Sequence, residues 1–386
     1  MLLKYHLRSL FVRGWSSLLS IFGIAATVAT LAGVLALQQG FKSLFVDSGD
    51  PSVAVVLRTG ASAEGNSVLT RAATDQIIKG SSEISLGADG QPLASKECFL
   101  AVRRRKLSGG ETNVPLRGVQ PATYAIRGES LRLVEGRLPT PGSDEVLVGE
   151  RASERIQDCR LGDVLQINVT PFRVVGVFES DGPFDSEIWG DFERLLETLQ
   201  LPGASRVILK VDEASKIDAL AARLEDDKQS PAKVLSEPDY LSSQTEIIGN
   251  LLIGLAAFLG LIMGTAAVFT ATGTMLSAIA ARTSEIGILL AGGFRPVRLF
   301  LSFLFESLVI GVIGGALGCL LILPINGIKT GTTNWSTFTE VAFSFRVTPQ
   351  VLGTAVSFSL LLGLLGGAYP AWRASRMRPA EAIRRG

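Results

Sequence analysis

Four stretches of this chain are apolar for longer than any ordinary core helix. They are Trp15–Leu37, Ile247–Ala281, Leu299–Ile328 and Val347–Trp372, and among them they hold one charged residue, Glu306. A helix rises 1.5 Å per residue, so about 20 apolar residues cross a hydrocarbon core of about 30 Å. Each stretch is therefore predicted to be a transmembrane helix. Glycines recur within them, and pairs four apart, such as Gly311 and Gly315, permit close helix contact.

Residues 38–246, between the first two spans, have a different rhythm. Ser52–Arg58, Cys98–Arg104, Val114–Val119, Glu145–Val148, Val164–Val169, Phe172–Phe178, Arg206–Val211 and Ala232–Leu235 read as strands. Leu69–Lys79, Glu150–Gln157 and Ser215–Asp226 read as helices. The mixture predicts an α+β domain, with 38–95 and 200–246 nearer the membrane and 96–199 inserted as a subdomain. Residues 329–346, between the last two spans, are expected to be a short loop.

Charge gives this arrangement an orientation. Eleven basic residues lie in 1–14, 282–298 and 373–386, against two acidic ones, Glu285 and Glu381. Residues 38–246 hold 24 basic and 32 acidic residues. Lys and Arg mark cytoplasmic flanks, so both termini and 282–298 are expected in the cytoplasm and the α+β domain outside it. Residues 1–14 show helical apolar spacing at Leu3, Leu7, Leu10 and Phe11 and suit a membrane-surface helix. Val34-Leu35-Ala36 resembles a signal cleavage site, but the apolar run is longer than a signal peptide needs, which favours a retained span.

The chemistry available is narrow. His6 is the one histidine, so multi-His zinc sites and Ser-His-Asp triads are excluded, and no metal site or catalytic residue is expected. No G-x-x-x-x-G-K-[ST] loop occurs, so ATP is not bound here by that route. Cys319 lies in an apolar run and reads as packing, whereas Cys98 and Cys159 could pair in an oxidising compartment. Arg103-Arg104-Arg105-Lys106 reads as a solvated hairpin end rather than a nucleic-acid patch. Asn168-Val169-Thr170 reads as a chance sequon. Asp181, Asp185, Glu187 and Asp191 lack EF-hand spacing and read as a carboxylate-rich loop. Glu306, the intramembrane charge, is expected to pair with Arg282 or Arg373 and fix helix packing.

The island Arg282–Pro296 carries Ile286, Leu289, Leu290 and Gly293 at i, i+3, i+4 and i+7, one face of a short helix. Ser284 can cap its start, and Gly292-Gly293 and Pro296 end it. Two readings stay open on physical grounds: a connector lying on lipid, or a docking helix that offers its apolar face and arginines to a partner.

This island, Arg282-Thr-Ser-Glu285-Ile286-Gly287-Ile-Leu289-Leu290-Ala-Gly292-Gly293-Phe-Arg295 followed by Glu306, resembles the signature of MacB-type ABC-transporter permeases, a family that includes FtsX-like and LolC-like members. Pro370-Ala371-Trp-Arg373 through Arg376 and Pro379 resembles the closing motif of that family, and Leu131–Phe178 is similar to its extracytoplasmic module. Gly293-Phe294 replaces the usual Gly-Ala, and Ile383 replaces Leu. The resemblance implies a permease subunit of the bacterial inner membrane, not itself an enzyme. Two copies of a separate ABC ATPase would bind ATP and Mg, leaving no cofactor in this chain. A second permease copy, more readily a homodimer than a heterodimer, is implied, with a periplasmic adaptor and an outer-membrane channel as further partners. The island would be the coupling helix, and the 35 residues of Ile247–Ala281 would extend the second span outward as a stalk. Export or extraction of substrate is the implied function. The alternative is an FtsX-like regulator of a cell-wall hydrolase.

Overall fold

The computed structural model describes residues 14–45, 48–180, 182–334 and 339–378. Residues 1–13 of the expected surface helix, His6, Asp181 and the tail from Pro379 onward lie outside them. The chain divides into a helical unit, 1–40 with 248–328 and 344–386, and an α+β unit, 41–247 with 329–343. In chain order the helices and strands are α1 (Gly14–Phe45), β1 (Val53–Arg58), α2 (Arg71–Lys79), β2 (Ala94–Arg105), β3 (Glu111–Val119) and α3 (Pro121–Arg127). Then come β4 (Leu131–Gly136), β5 (Glu145–Gly149), α4 (Glu150–Arg155), β6 (Val164–Ile167), β7 (Thr170–Ser180), β8 (Ile188–Asp191), α5 (Phe192–Thr198), β9 (Arg206–Lys210), α6 (Lys216–Glu225) and β10 (Ala232–Ser236). The chain continues with α7 (Glu237–Ala280), α8 (Thr283–Ala291), α9 (Pro296–Ile322), β11 (Lys329–Asn334), β12 (Thr339–Ser344) and α10 (Pro349–Ser375). Leu18–Phe45, Ile248–Ala280, Pro296–Ile325 and Pro349–Ser375 are long and apolar enough to cross a membrane.

In the helical unit, close approach comes from missing side chains. A Cβ added at Gly311 would lie 2.8 Å from the Ser359 carbonyl oxygen, and one at Gly363 would lie 2.8 Å from that of Ser307. Backbones this close gain dispersion contacts where lipid offers no hydrophobic drive between helices. Ser20 and Thr274 hydroxyls meet at 2.7 Å, and Thr272 Oγ1 donates to the Gly366 carbonyl at 3.1 Å. These bonds stitch α1 to α7 and α7 to α10.

In the α+β unit, nine strands form the path β10-β1-β9-β2-β3-β8-β5-β7-β4, and β6 pairs with β7. The β1–β9–β2–β3 neighbours are antiparallel, while β3–β8 and β5–β7 are parallel. Every β1 side chain except Arg58 is buried, as its VAVVL sequence suits a central strand. One core gathers Val56, Ile77, Leu209 and Leu220, and another gathers Leu116, Val148, Phe172 and Leu195. The continuous sheet links the two. The expected loop at 329–346 is instead a two-stranded sheet, β11–β12. Cys98 and Cys159, which could have paired, do not form a disulfide. Both residues are free thiols packed in the same apolar core, and burial pushes both up to about 12, so they stay protonated.

Gly311→Leu and Gly363→Leu should each lower the thermal unfolding midpoint of the detergent-solubilised chain, because overpacking costs about 1–3 kcal/mol. Gly353→Ala, where nothing lies within 4 Å, should leave it nearly unchanged.

Candidate functional site

The sequence directs attention to the short helix α8. Gly292 and Gly293 end it as expected: Gly293 has φ +84, and the Phe294 amide donates to the Leu289 carbonyl. Pro296 opens α9 rather than merely blocking α8, since its lost N–H costs nothing at a first helical position. The expected Ser284 cap is corrected. Ser284 lies inside the helix, Arg282 occupies the cap position without a side-chain cap bond, and Thr283 Oγ1 bonds back to the Ala280 carbonyl.

The apolar face of α8 turns inward. Ile286 is 2% exposed and packs with Met275, Ile279, Phe303 and Ala371, with Leu289 and Leu290 partly buried beside it. The stripe at i, i+3 and i+4 therefore seals against the helical unit's own core. Gly287 is buried with it, and Arg282 is half-buried. The outward surface is Glu285, Ile288 at 61% exposure, Gly292, Gly293, Phe294 and Arg295. Next to α8 lies a cleft of about 690 Å³ lined by Leu276, Ile279, Thr283, Ser284, Arg373 and Met377. Pro370 and Ala371 are buried in α10, Arg373 is exposed at the cleft, and the Arg376 guanidinium lies 5.0 Å from the Trp372 ring centroid. Pro379 lies outside the described residues. Glu306 is buried within α9.

A second centre, which sequence reasoning missed, lies within the α+β unit. Arg117 on β3 is 1% exposed and forks twice. Its Nη1 and Nη2 reach Glu64 at 2.6 and 2.8 Å, and its Nε and Nη2 reach Glu187 at 2.7 and 2.8 Å. Glu97 on β2 lies 3.2 Å from Arg117 and 2.8 Å from Nε of Arg206 on β9. Trp189 Nε1 donates to Glu187, and Thr123 donates to Glu97. Burial opposes ionisation of Glu64, but the Arg117 and Arg206 charges outweigh it and hold its carboxyl at about 2. Glu97 is lowered against the same burial by the same two arginines.

This centre takes in the start of α7. Glu237, fully buried, sits 2.6 Å from Nη1 of Arg127, and its Oε2 accepts from the Asp50 amide at 3.0 Å. The Arg127 guanidinium lies 4.4 Å from the Phe184 ring centroid. Three residues on, the Tyr240 hydroxyl accepts from the Glu64 amide, and Gln244 Nε2 donates to the Ser62 carbonyl at 2.8 Å. Ser236 caps the helix by accepting from the Asp239 amide. The first two turns of α7 are thus bonded into the domain's charged core.

Of the expected carboxylate-rich loop, Asp185, Glu187 and Asp191 are instead tied into the fold. Asp185 pairs with Arg151 at 3.0 Å, Glu187 with Arg117, and Asp191 caps α5 through the Arg194 amide. Burial lifts Asp185 to about 6 despite Arg151. Among the described residues no group of His, Cys, Asp or Glu could hold a metal ion.

The depressed carboxyl of Glu64 has a pH consequence. Its contribution to stability is complete above the unfolded value of about 4.5 and is lost as pH falls through about 2. Glu64→Gln should cost about 3 kcal/mol at pH 7, as expected for one lost member of a buried ion pair. In chemical unfolding of the full chain, the gap between wild type and variant should shrink as pH drops from about 4.5 towards 2.

The comparisons with known proteins agree with this architecture. Residues 17–227 match the MacB-like periplasmic core domain, and 255–379 match the FtsX-like permease C-terminal domain. A macrolide export ATP-binding/permease protein MacB of Bdellovibrio bacteriovorus is 27% identical over 95% of this chain, which spans 59% of that relative's length. An uncharacterized ABC transporter permease, YknZ of Bacillus subtilis, is 26% identical over 99% of this chain and 98% of its own length. The solved periplasmic region of MacB from Actinobacillus actinomycetemcomitans aligns with 52% of this chain and 95% of that structure, at 15% identity and a TM-score of 0.38. By the match over more than half of its length, the chain belongs to the MacB-like family of ABC-transporter permeases.

Proposed function

We propose that this permease couples ATP hydrolysis by a separate ABC ATPase to movement of its α+β domain, for export or extraction of a substrate. ATP and Mg belong to the ATPase, of which two copies serve a pair of permease chains. The observation that carries the reading is a single helix, α7, of 44 residues, about 66 Å long at 1.5 Å per residue. Its first turns are bonded to Arg127, Asp50, Glu64 and Ser62. Two residues separate its last residue, Ala280, from the start of α8. A push on α8 is thereby delivered to one end of a helix whose other end is fixed to the sheet. The excess of basic residues at 282–298 and at both termini supports a cytoplasmic position for α8.

The outward residues of α8, not its buried stripe, are the ATPase contact. Ile288 and Phe294 supply apolar area, flanked by Glu285 and Arg295. Buried Ile286 transmits the load to Met275, Phe303 and Ala371. An adaptor and an outer-membrane channel would complete an export path. The FtsX-like match over 255–379 also suits a regulator of a cell-wall hydrolase. The MacB-like match over 17–227 favours transport.

Ile288→Asp with Phe294→Asp should abolish co-purification of the ATPase while leaving the unfolding midpoint of the chain within a degree or two. Undiminished co-purification would remove α8 as the contact. Ile286→Asp should instead lower the unfolding midpoint sharply, since it buries a carboxylate in an apolar core.

A further inference from the structure

A pocket in the α+β unit is lined by three cations and two hydroxyls. Lys106 follows β2, Thr112 lies on β3, Arg151 and Arg155 lie on α4, and Ser186 precedes β8. Val114, Ala152 and Ile156 complete the wall, and among the described residues no carboxylate lines it. Asp185 pairs with Arg151 Nε at 3.0 Å and accepts from the Glu150 amide at 3.2 Å. Arg151 is thus held in place by this pair. Ser186 is 8% exposed, and among the described residues its Oγ has no hydrogen-bond partner. A buried hydroxyl left unpaired is costly, and this one borders a cationic pocket.

The frame is pre-organised. The Leu107 amide donates to the Arg155 carbonyl at 2.8 Å, and the Gln157 amide to the Arg105 carbonyl at 2.9 Å. Lys106 and Ile156 form a β-bridge between the same two segments. The basic run 103–106 is therefore not merely a solvated hairpin end: Arg104 Nη2 donates to the Gln166 carbonyl, and Lys106 faces this pocket. The cavity measures about 20 Å³, enough for one small group and not for a whole organic ligand.

We propose that this pocket binds a single oxyanion group, a carboxylate or a phosphate ester, on a substrate or partner of the α+β domain, with Ser186 Oγ donating to it and Lys106, Arg151 and Arg155 supplying the charge. Ionised acceptors form the stronger class of hydrogen bond. The pocket gives an acidic domain, eight charges negative over 38–246, one local site of the opposite sign. The proposal stands apart from the ATPase reading and does not depend on it.

The test uses the full chain in detergent, titrated with sodium acetate and with sodium phosphate against sodium chloride at matched ionic strength. The unfolding midpoint is the readout. A saturable rise over chloride is expected with at least one anion. Acetate alone assigns a carboxylate ligand, phosphate alone a phosphate ester, and both together the shared oxyanion chemistry. Ser186→Ala should weaken the response about tenfold, the loss of one hydrogen bond to a charged group. Arg155→Gln, on a half-buried residue, should weaken it at least as much. No rise beyond chloride with either anion overturns the proposal, as does an equal rise in wild type and both variants.

Discussion

The α+β domain is organised around one buried guanidinium. Arg117 satisfies two glutamates bidentately and approaches a third, all at 6% side-chain exposure or less. An ion stripped of water costs several kcal/mol, so such a centre survives only where every charge is answered. Here the answers come from separate parts of the chain: Glu64 from the segment after β1, Glu97 from β2, Arg206 from β9, and Glu187 from just before β8. Each must be in register before any is compensated. The cluster thereby specifies how β9, β2, β3 and β8 line up, which apolar packing alone would fix less sharply.

The same constraint reaches α7. Glu237 is completely buried at a helix start, where the helix dipole favours a carboxylate and Arg127 neutralises it. A helix end ordinarily frays. This one is held by a charge pair, a cap from Ser236 and side-chain bonds to Glu64 and Ser62. In the helical unit the logic is reversed. Contact there comes from what is absent, the side chains of Gly311 and Gly363, because lipid provides no drive to bury apolar surface. A rigid charged anchor and closely packed helices are two ways of making elements move as bodies rather than bend.

Much of this was legible in the sequence. The four spans follow from length and polarity, and the strands from alternation: 52–58 and 206–211 fall within two residues of β1 and β9. The end of α8 follows from Gly292-Gly293 because a positive φ demands glycine. The inward turn of Ile286 was hidden, since helical spacing defines a stripe without saying which neighbour covers it. The ion cluster was hidden more deeply. Glu97, Arg117 and Arg206 sit in strands whose neighbours are buried on both faces, and no sequence pattern pairs charges 109 residues apart, as Glu97 and Arg206 are. The one signal available was an isolated charge within an apolar strand, as in Val114-Pro-Leu-Arg117-Gly-Val119. Whether Cys98 and Cys159 pair stayed open in the sequence for a related reason: sharing a core does not by itself bring two thiols to bonding geometry.

The central claim is that the start of α7 belongs to the same cooperative unit as the sheet. Native-state amide hydrogen exchange of the full chain measures this directly, residue by residue. Amides of 241–247 should open with the same free energy as those of β1 and β9, and with the same denaturant dependence. If they exchange instead at a far lower free energy, as a frayed helix end does, α7 is not anchored in the domain and cannot drive it.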